Sequence, residues 1–128
     1  MTNKKSKGSI LCVDDNVDFC KLLVDFFGQK GYTVFSAFDA RDGYNIIKSE
    51  KIDLLLLDIR MEEIDGVGLM KKLRAENIVI PTIVITAYSN AKDLIEAENF
   101  KLYGYFEKPV PLNQVNETVE KCFKEAKL

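Results

Sequence analysis

The sequence predicts a doubly wound α/β fold, a five-stranded parallel sheet with helices on both faces. Two observations predict it. Short apolar runs rich in branched residues alternate five times with longer amphipathic stretches. Three of the short runs are almost continuously apolar, as central strands of a parallel sheet must be when both faces are covered.

The first strand is read in SILCVDD (9–15), followed by a helix in which Val17, Cys20, Leu23, Val24 and Phe27 recur at helical spacing. Gly28 and Gly31 supply its stop. YTVFSA (32–37) is the second strand, after which Asp39 caps a helix carrying Tyr44, Ile46 and Ile47. IDLLLLD (52–58) is the third, with four leucines in a row, and Gly66 opens a helix bearing Val67, Met70 and Leu73. PTIVITA (81–87) is the fourth, and Asn90 caps the next helix with Asp93 in its first turn. GYFEK (104–108) is the fifth, and a last helix gathers Leu112, Val115, Val119, Cys122 and Ala126 on one stripe. Phe19, Phe26, Phe27 and Phe35 are assigned to the core or its margin. Right-handed crossovers of this kind bring ligands to the carboxyl ends of the strands, near the point where strand order reverses.

At 128 residues the chain is one domain's worth, expected over 9–128 behind a disordered, basic N-terminal tail at 1–8. A hydrophobic share of 47%, a charged share of 30% and a net charge of −2 suit a globular protein. They offer no bulk positive charge for nucleic acid or anionic membrane. No apolar run is long enough to span a bilayer, and MTNKKSKGS lacks the apolar stretch of a signal peptide. A cytoplasmic location is expected. Cys12, Cys20 and Cys122 sit among apolar neighbours and read as core thiols. With no histidine, Ser-His and Cys-His catalysis and the common zinc sites are excluded.

Chemistry-bearing residues stand at the strand ends. The first strand ends in Asp14 and Asp15, the third in Asp58, the fourth in Thr86 and the fifth in Lys108. Crowded carboxylates raise one another's pKa unless a cation holds them together. All-oxygen ligation with room for water suits Mg²⁺, with Mn²⁺ as a substitute. A divalent ion, a fixed ammonium and a hydroxyl donor together suit a phosphoryl group.

The motifs LCVDDN, LLLLDIRMEEIDG, VITAYS and GYFEKPV, in this order and spacing, make nearly the whole chain resemble a response-regulator receiver domain of two-component signalling. The resemblance implies a flavodoxin-like sheet of order 2-1-3-4-5 and a phosphorylatable switch rather than an enzyme. It implies that Asp58 takes a phosphoryl group from a histidine kinase or phosphotransfer protein. Asp15, Asp58 and the Arg60 backbone carbonyl would bind Mg²⁺ directly, and Asp14 through water. Lys108 would pair with the acids and then with the phosphoryl group, Thr86 would donate its hydroxyl to it, and Tyr105 would turn from exposed to buried. Pro109 would follow a cis peptide bond. The output surface would comprise the helix expected from Asn90, the fifth strand and the last helix. It would act on a downstream protein or fused output domain, as a monomer or a phosphorylation-dependent dimer. Direct nucleic-acid or membrane binding by this chain is not expected.

The pattern departs from the family at Glu62, where proline is usual, and at Lys101-Leu102 in place of Gly-Ala. Arg60 and Tyr88 occupy the positions that tune hydrolysis, and a bulky Tyr88 predicts slow self-dephosphorylation. Read singly, Asp14 and Asp15 would serve equally as helix caps, Thr86 as a β-former and Tyr105 as a half-exposed strand aromatic. Two other functions compete. A phosphohydrolase of the aspartyl-phosphate type would want a second acid where Arg60 stands. An unphosphorylated scaffold would have no need of the intact acid set, Thr86 and Lys108.

Overall fold

Alternation of side chains along each strand divides the apolar residues between two layers. The computed structural model describes residues 6–60, 66–87, 102–109 and 111–126. The tail at 1–5, Glu62, Tyr88, the helix expected from Asn90 and Lys101 lie outside the described residues. The strands β1 (Ser9–Val13), β2 (Thr33–Ala37), β3 (Leu54–Leu57), β4 (Thr82–Thr86) and β5 (Gly104–Glu107) form one parallel sheet in the order β2-β1-β3-β4-β5. The described helices are α1 (Val17–Gln29), α2 (Ala40–Ser49), α3 (Gly66–Ala75) and α4 (Leu112–Ala126), the C-terminal helix. None of them is long and apolar enough to cross a membrane.

Leu11, Val13, Leu55, Leu57 and Val84 point to one face and pack with Val67, Leu69, Met70 and Leu73 of α3, while Ile46 and Ile47 of α2 close the margin. Ile10, Cys12, Leu54, Leu56, Ile83 and Ile85 point to the other and meet Cys20, Leu23 and Phe27 of α1 and Val115, Val119 and Cys122 of the C-terminal helix. All four leucines of β3 are buried, so the unbroken run is explained by cover on both sides. Each such side chain contributes about 1.5–3 kcal/mol on leaving water.

Local signals place the ends of the elements. Asp39 accepts from the Asp42 N–H at 2.8 Å and caps α2 as expected. The cap of α1 is Asn16, whose Oδ1 accepts from the Phe19 N–H at 3.0 Å, so neither Asp14 nor Asp15 is consumed by capping. Helix α1 runs through Gly28 to Gln29, and the reversal falls at Gly31, whose φ of 103° is the left-handed conformation that glycine adopts without cost. Val17, placed on the apolar stripe by its spacing, is the first residue of α1 and is 47% exposed. Residues of the expected tail are engaged from Ser6 onward: the Lys7 N–H donates to the Gly31 carbonyl at 2.9 Å, and the Thr33 N–H donates to that of Gly8 at 2.9 Å.

Candidate functional site

Strand register aligns the acids. Val13 of β1 is paired with both Ala37 of β2 and Leu57 of β3, so the residues after Val13 and Leu57 leave the sheet side by side. The Asp58 N–H donates to the Val13 carbonyl at 2.9 Å, and the Asp14 N–H donates to the Ala37 carbonyl at 3.0 Å, which carries the ladder one step past the strands. On the other flank Thr86 pairs with Glu107, and the Lys108 N–H donates to the Thr86 carbonyl at 2.9 Å. Consecutive β1, β3, β4 and β5 therefore deliver Asp14, Asp58, Thr86 and Lys108 to one edge.

Asp14 is 1% exposed and Asp58 6%, whereas Asp15 is open to solvent. One oxygen from each of the three carboxylates lies within 4.8 Å of the others. The Lys108 ammonium stands 2.7 Å from Asp14 Oδ2 and 3.6 Å from Asp58 Oδ2. The second oxygens are held by backbone: Asp14 Oδ1 accepts from the Asn16 N–H at 2.9 Å, and Asp58 Oδ1 from the Arg60 N–H at 3.0 Å. Each buried carboxylate thus has an amide and a share of the ammonium, which is why it tolerates burial.

Burial raises the pKa of Asp14; the Lys108 ammonium and the Asn16 amide pull it down, while Asp58 pushes it up, and the net direction is up. For Lys108, burial favours the neutral amine, but the hydrogen bond to Asp14 and the charges of Asp14 and Asp58 outweigh it, and its pKa is raised. The two directions agree physically: a crowded acid prefers a proton, and an amine beside two acids keeps its own. By formal charge, three carboxylates against one ammonium leave a surplus of two negative charges on this edge. An all-oxygen donor set with that surplus fits a hard divalent cation such as Mg²⁺.

Thr86 is fully buried at the end of β4. Tyr105, on β5, is partly buried and packs against the core layer of α2 and α3. Arg60 is exposed, and the Lys108–Pro109 peptide bond is cis.

A family model described as the response regulator receiver domain matches residues 10–120, which is most of the chain. The chain belongs to the response-regulator receiver family. Among curated relatives of this receiver, the transcriptional regulatory protein ZraR of Salmonella typhimurium is 34% identical over 118 residues, 92% of this chain. The chain spans only 27% of the length of that relative. The sporulation initiation phosphotransferase F of Bacillus subtilis is 30% identical over 121 residues, 94% of both chains. Among solved structures, a two-component response regulator from Clostridium difficile superposes with a TM-score of 0.85 at 27% identity, covering 94% of this chain and 99% of that one. TrrA of Thermotoga maritima, solved in complex with Mg(2+)-BeF, gives 0.79 at 26%, covering 90% and 98%.

Three residues of this receiver site escaped sequence reasoning. Asn16 caps α1 and donates its N–H to Asp14; the Asp-Asp-Asn order was its signal. Phe19, assigned to the core margin, lies with its ring centroid 4.5 Å from the Lys108 Nζ, a cation–π contact that no spacing rule predicts. Gly66 opens α3 so close to β3 that a Cβ there would meet the Ile59 Cα at 2.6 Å and the Asp58 carbonyl oxygen at 2.7 Å. Its position in the motif after Asp58 was visible, but its packing role was not.

Proposed function

We propose that this receiver is the phosphoacceptor switch of a two-component relay and that Asp58 is the accepting group. The observation that carries the reading is the constellation of Asp14, Asp15 and Asp58 within 4.8 Å with Lys108 at 2.7 and 3.6 Å. An oxygen of the Asp58 carboxylate attacks the phosphorus of a phosphohistidine on a histidine kinase or phosphotransfer protein. The P–N bond breaks, its electron pair returns to the imidazole, and an acyl phosphate remains on Asp58. Asp15, Asp58 and the Arg60 backbone carbonyl would hold a divalent cation, Mg²⁺ or Mn²⁺, and Asp14 would help through water. When bound, that ion offsets the charge of the phosphoryl oxygens. Lys108 contributes a second, covalently fixed positive charge.

Phosphorylation adds about −1.5 to −2 charges and three acceptor oxygens at the end of β3. Lys108 and the Thr86 hydroxyl interact better with that group than with a bare carboxylate, so the state in which they close on it gains population. Thr86 moves inward, Tyr105 follows, and the surface of β5 and its flanking helices changes for a downstream protein or a fused output domain. The receiver unit covers residues 9–128, works in the cytoplasm and turns over no substrate of its own. Arg60 and Tyr88 make the acyl phosphate long-lived.

The test is to incubate the protein with Mg²⁺ and a small acyl-phosphate donor and measure its intact mass. One phosphoryl adduct is expected, absent from Asp58→Asn and from a sample in chelator. A folded protein that stays unmodified would sink the reading, and so would an adduct that persists in Asp58→Asn.

A further inference from the structure

The apolar layer beneath α1 holds two sulfurs that the relay chemistry does not use. Cys12 lies near the end of β1, two residues before Asp14, and Cys20 lies in the early turns of α1. Both are 1% exposed, and their Sγ atoms are 3.6 Å apart. Cys20 Sγ also donates to the Asp14 main-chain carbonyl at 3.4 Å. The pair therefore brackets the turn that carries Asp14, Asp15 and Asn16. A disulfide needs the sulfurs at about 2.05 Å, so closing it takes about 1.5 Å of combined movement, on the scale of small side-chain rotations.

We propose that Cys12 and Cys20 are an oxidation site: a hydroperoxide converts them to an intramolecular disulfide that ties α1 to β1 and reshapes the Asp14–Asn16 turn. One cysteine, as thiolate, attacks the terminal oxygen of the hydroperoxide. The O–O bond breaks, the leaving oxygen takes a proton, and a sulfenic acid forms. The other sulfur attacks the sulfenic sulfur, the S–O bond breaks, and water leaves. With hydrogen peroxide two thiols and one peroxide give one disulfide and two waters, so electrons and atoms balance. Because both sulfurs are buried, the oxidant enters through transient opening of the first turns of α1, where Val17 is already 47% exposed. Oxidation removes the S–H that Cys20 donates to the Asp14 carbonyl and drags β1 two residues from the carboxylate. The consequence for the metal site rests on the receiver reading above; the disulfide itself does not.

The experiment treats the full chain with hydrogen peroxide, then measures intact mass, thiols that can be alkylated after unfolding, and Mg²⁺ affinity by calorimetry. Expected are a mass lower by two hydrogens, one remaining thiol mapped to Cys122, and a peptide linking Cys12 to Cys20. Mg²⁺ affinity falls about tenfold, the scale of lost outer-sphere support, and a dithiol reductant restores it. Cys20→Ala, which cannot form the disulfide, shows the same Mg²⁺ affinity before and after peroxide. Oxidation to sulfinic acid on one cysteine, a bond to Cys122, or a disulfide that leaves Mg²⁺ affinity unchanged would overturn the proposal. Reduced protein that binds no Mg²⁺ would instead defeat the receiver reading, and the mass would still decide whether the disulfide forms.

Discussion

Lys108→Met keeps an unbranched apolar side chain and removes the ammonium that stands over the Phe19 ring and beside Asp14 and Asp58. At an effective dielectric of about 20, unit charges at 2.7 and 3.6 Å attract by roughly 6 and 5 kcal/mol. Most of that gross attraction is cancelled by the cost of taking the ammonium out of water, several kcal/mol for a partly buried ion. Breaking a buried pair from one side usually costs about 3–5 kcal/mol, and the 20% exposure of the Lys108 side chain argues for the lower end. The expected loss is about 3 kcal/mol in chelator. With a urea slope near 2 kcal/mol/M, that lowers the unfolding midpoint by about 1.5 M. The raised pKa of Lys108 means its contribution is present below the ordinary value of 10.5 and disappears as pH rises through the folded value. The raised pKa of Asp14 means the carboxylate left behind is neutralised as pH falls through its folded value, so the penalty fades there too. The cost is therefore greatest around neutral pH. In an Asp14→Asn background the same lysine substitution should cost roughly half as much, about 1.5 kcal/mol, because only Asp58 then lacks its partner. Urea midpoints at neutral pH equal in Lys108→Met and the parent would refute the reasoning. An undiminished cost in the Asp14→Asn background would refute it equally.

Other positions give sharper or simpler readouts. Tyr44 donates its hydroxyl to both Glu76 oxygens at 2.7 and 2.8 Å, and this bond, ahead of nearby Lys48 and Lys72, lowers the Glu76 pKa below its ordinary 4.5. That stability is present above pH 4.5 and lost as pH falls through the folded value, so the urea midpoints of Tyr44→Phe and the parent should differ at pH 7 and converge at the acid end. Gly66→Ala forces a Cβ against the Asp58–Ile59 backbone and should cost about 1–3 kcal/mol, with weaker Mg²⁺ binding by calorimetry. Leu55→Ala, fully buried in β3, should cost about 3 kcal/mol in urea unfolding and leave the rate of phosphorylation by a small acyl phosphate close to the parent's. In the proposed relay, Thr86→Val keeps the shape and loses the hydroxyl, so acyl-phosphate formation on Asp58 should persist while the phosphorylation-induced change in β5 amide exchange shrinks.

Local physics reached a long way along this chain. Apolar runs of period two or none marked the five strands, because cover on both faces leaves no position for a polar residue, as Leu54 to Leu57 show. Asp39 as a cap and Gly66 as a helix start were readable, since both signals act within a few residues. The site was legible for the same reason: residues that end consecutive parallel strands must share an edge, so Asp14, Asp58, Thr86 and Lys108 converge whatever the loops do. What the sequence could not decide depends on side chains meeting across separate elements. Three cysteines looked alike by composition, yet only the packing of α1 on β1 brings Cys12 and Cys20 to 3.6 Å and leaves Cys122 on another helix. Phe19 and Lys108 are far apart in sequence, and their contact exists because α1 and the end of β5 meet at the same edge. Asp14 divides its oxygens the same way: Oδ2 meets the Lys108 ammonium at 2.7 Å across the sheet edge, while Oδ1 takes the Asn16 amide of its own turn at 2.9 Å. Periodicity determines which face a residue joins; only the assembled layers determine its neighbour there.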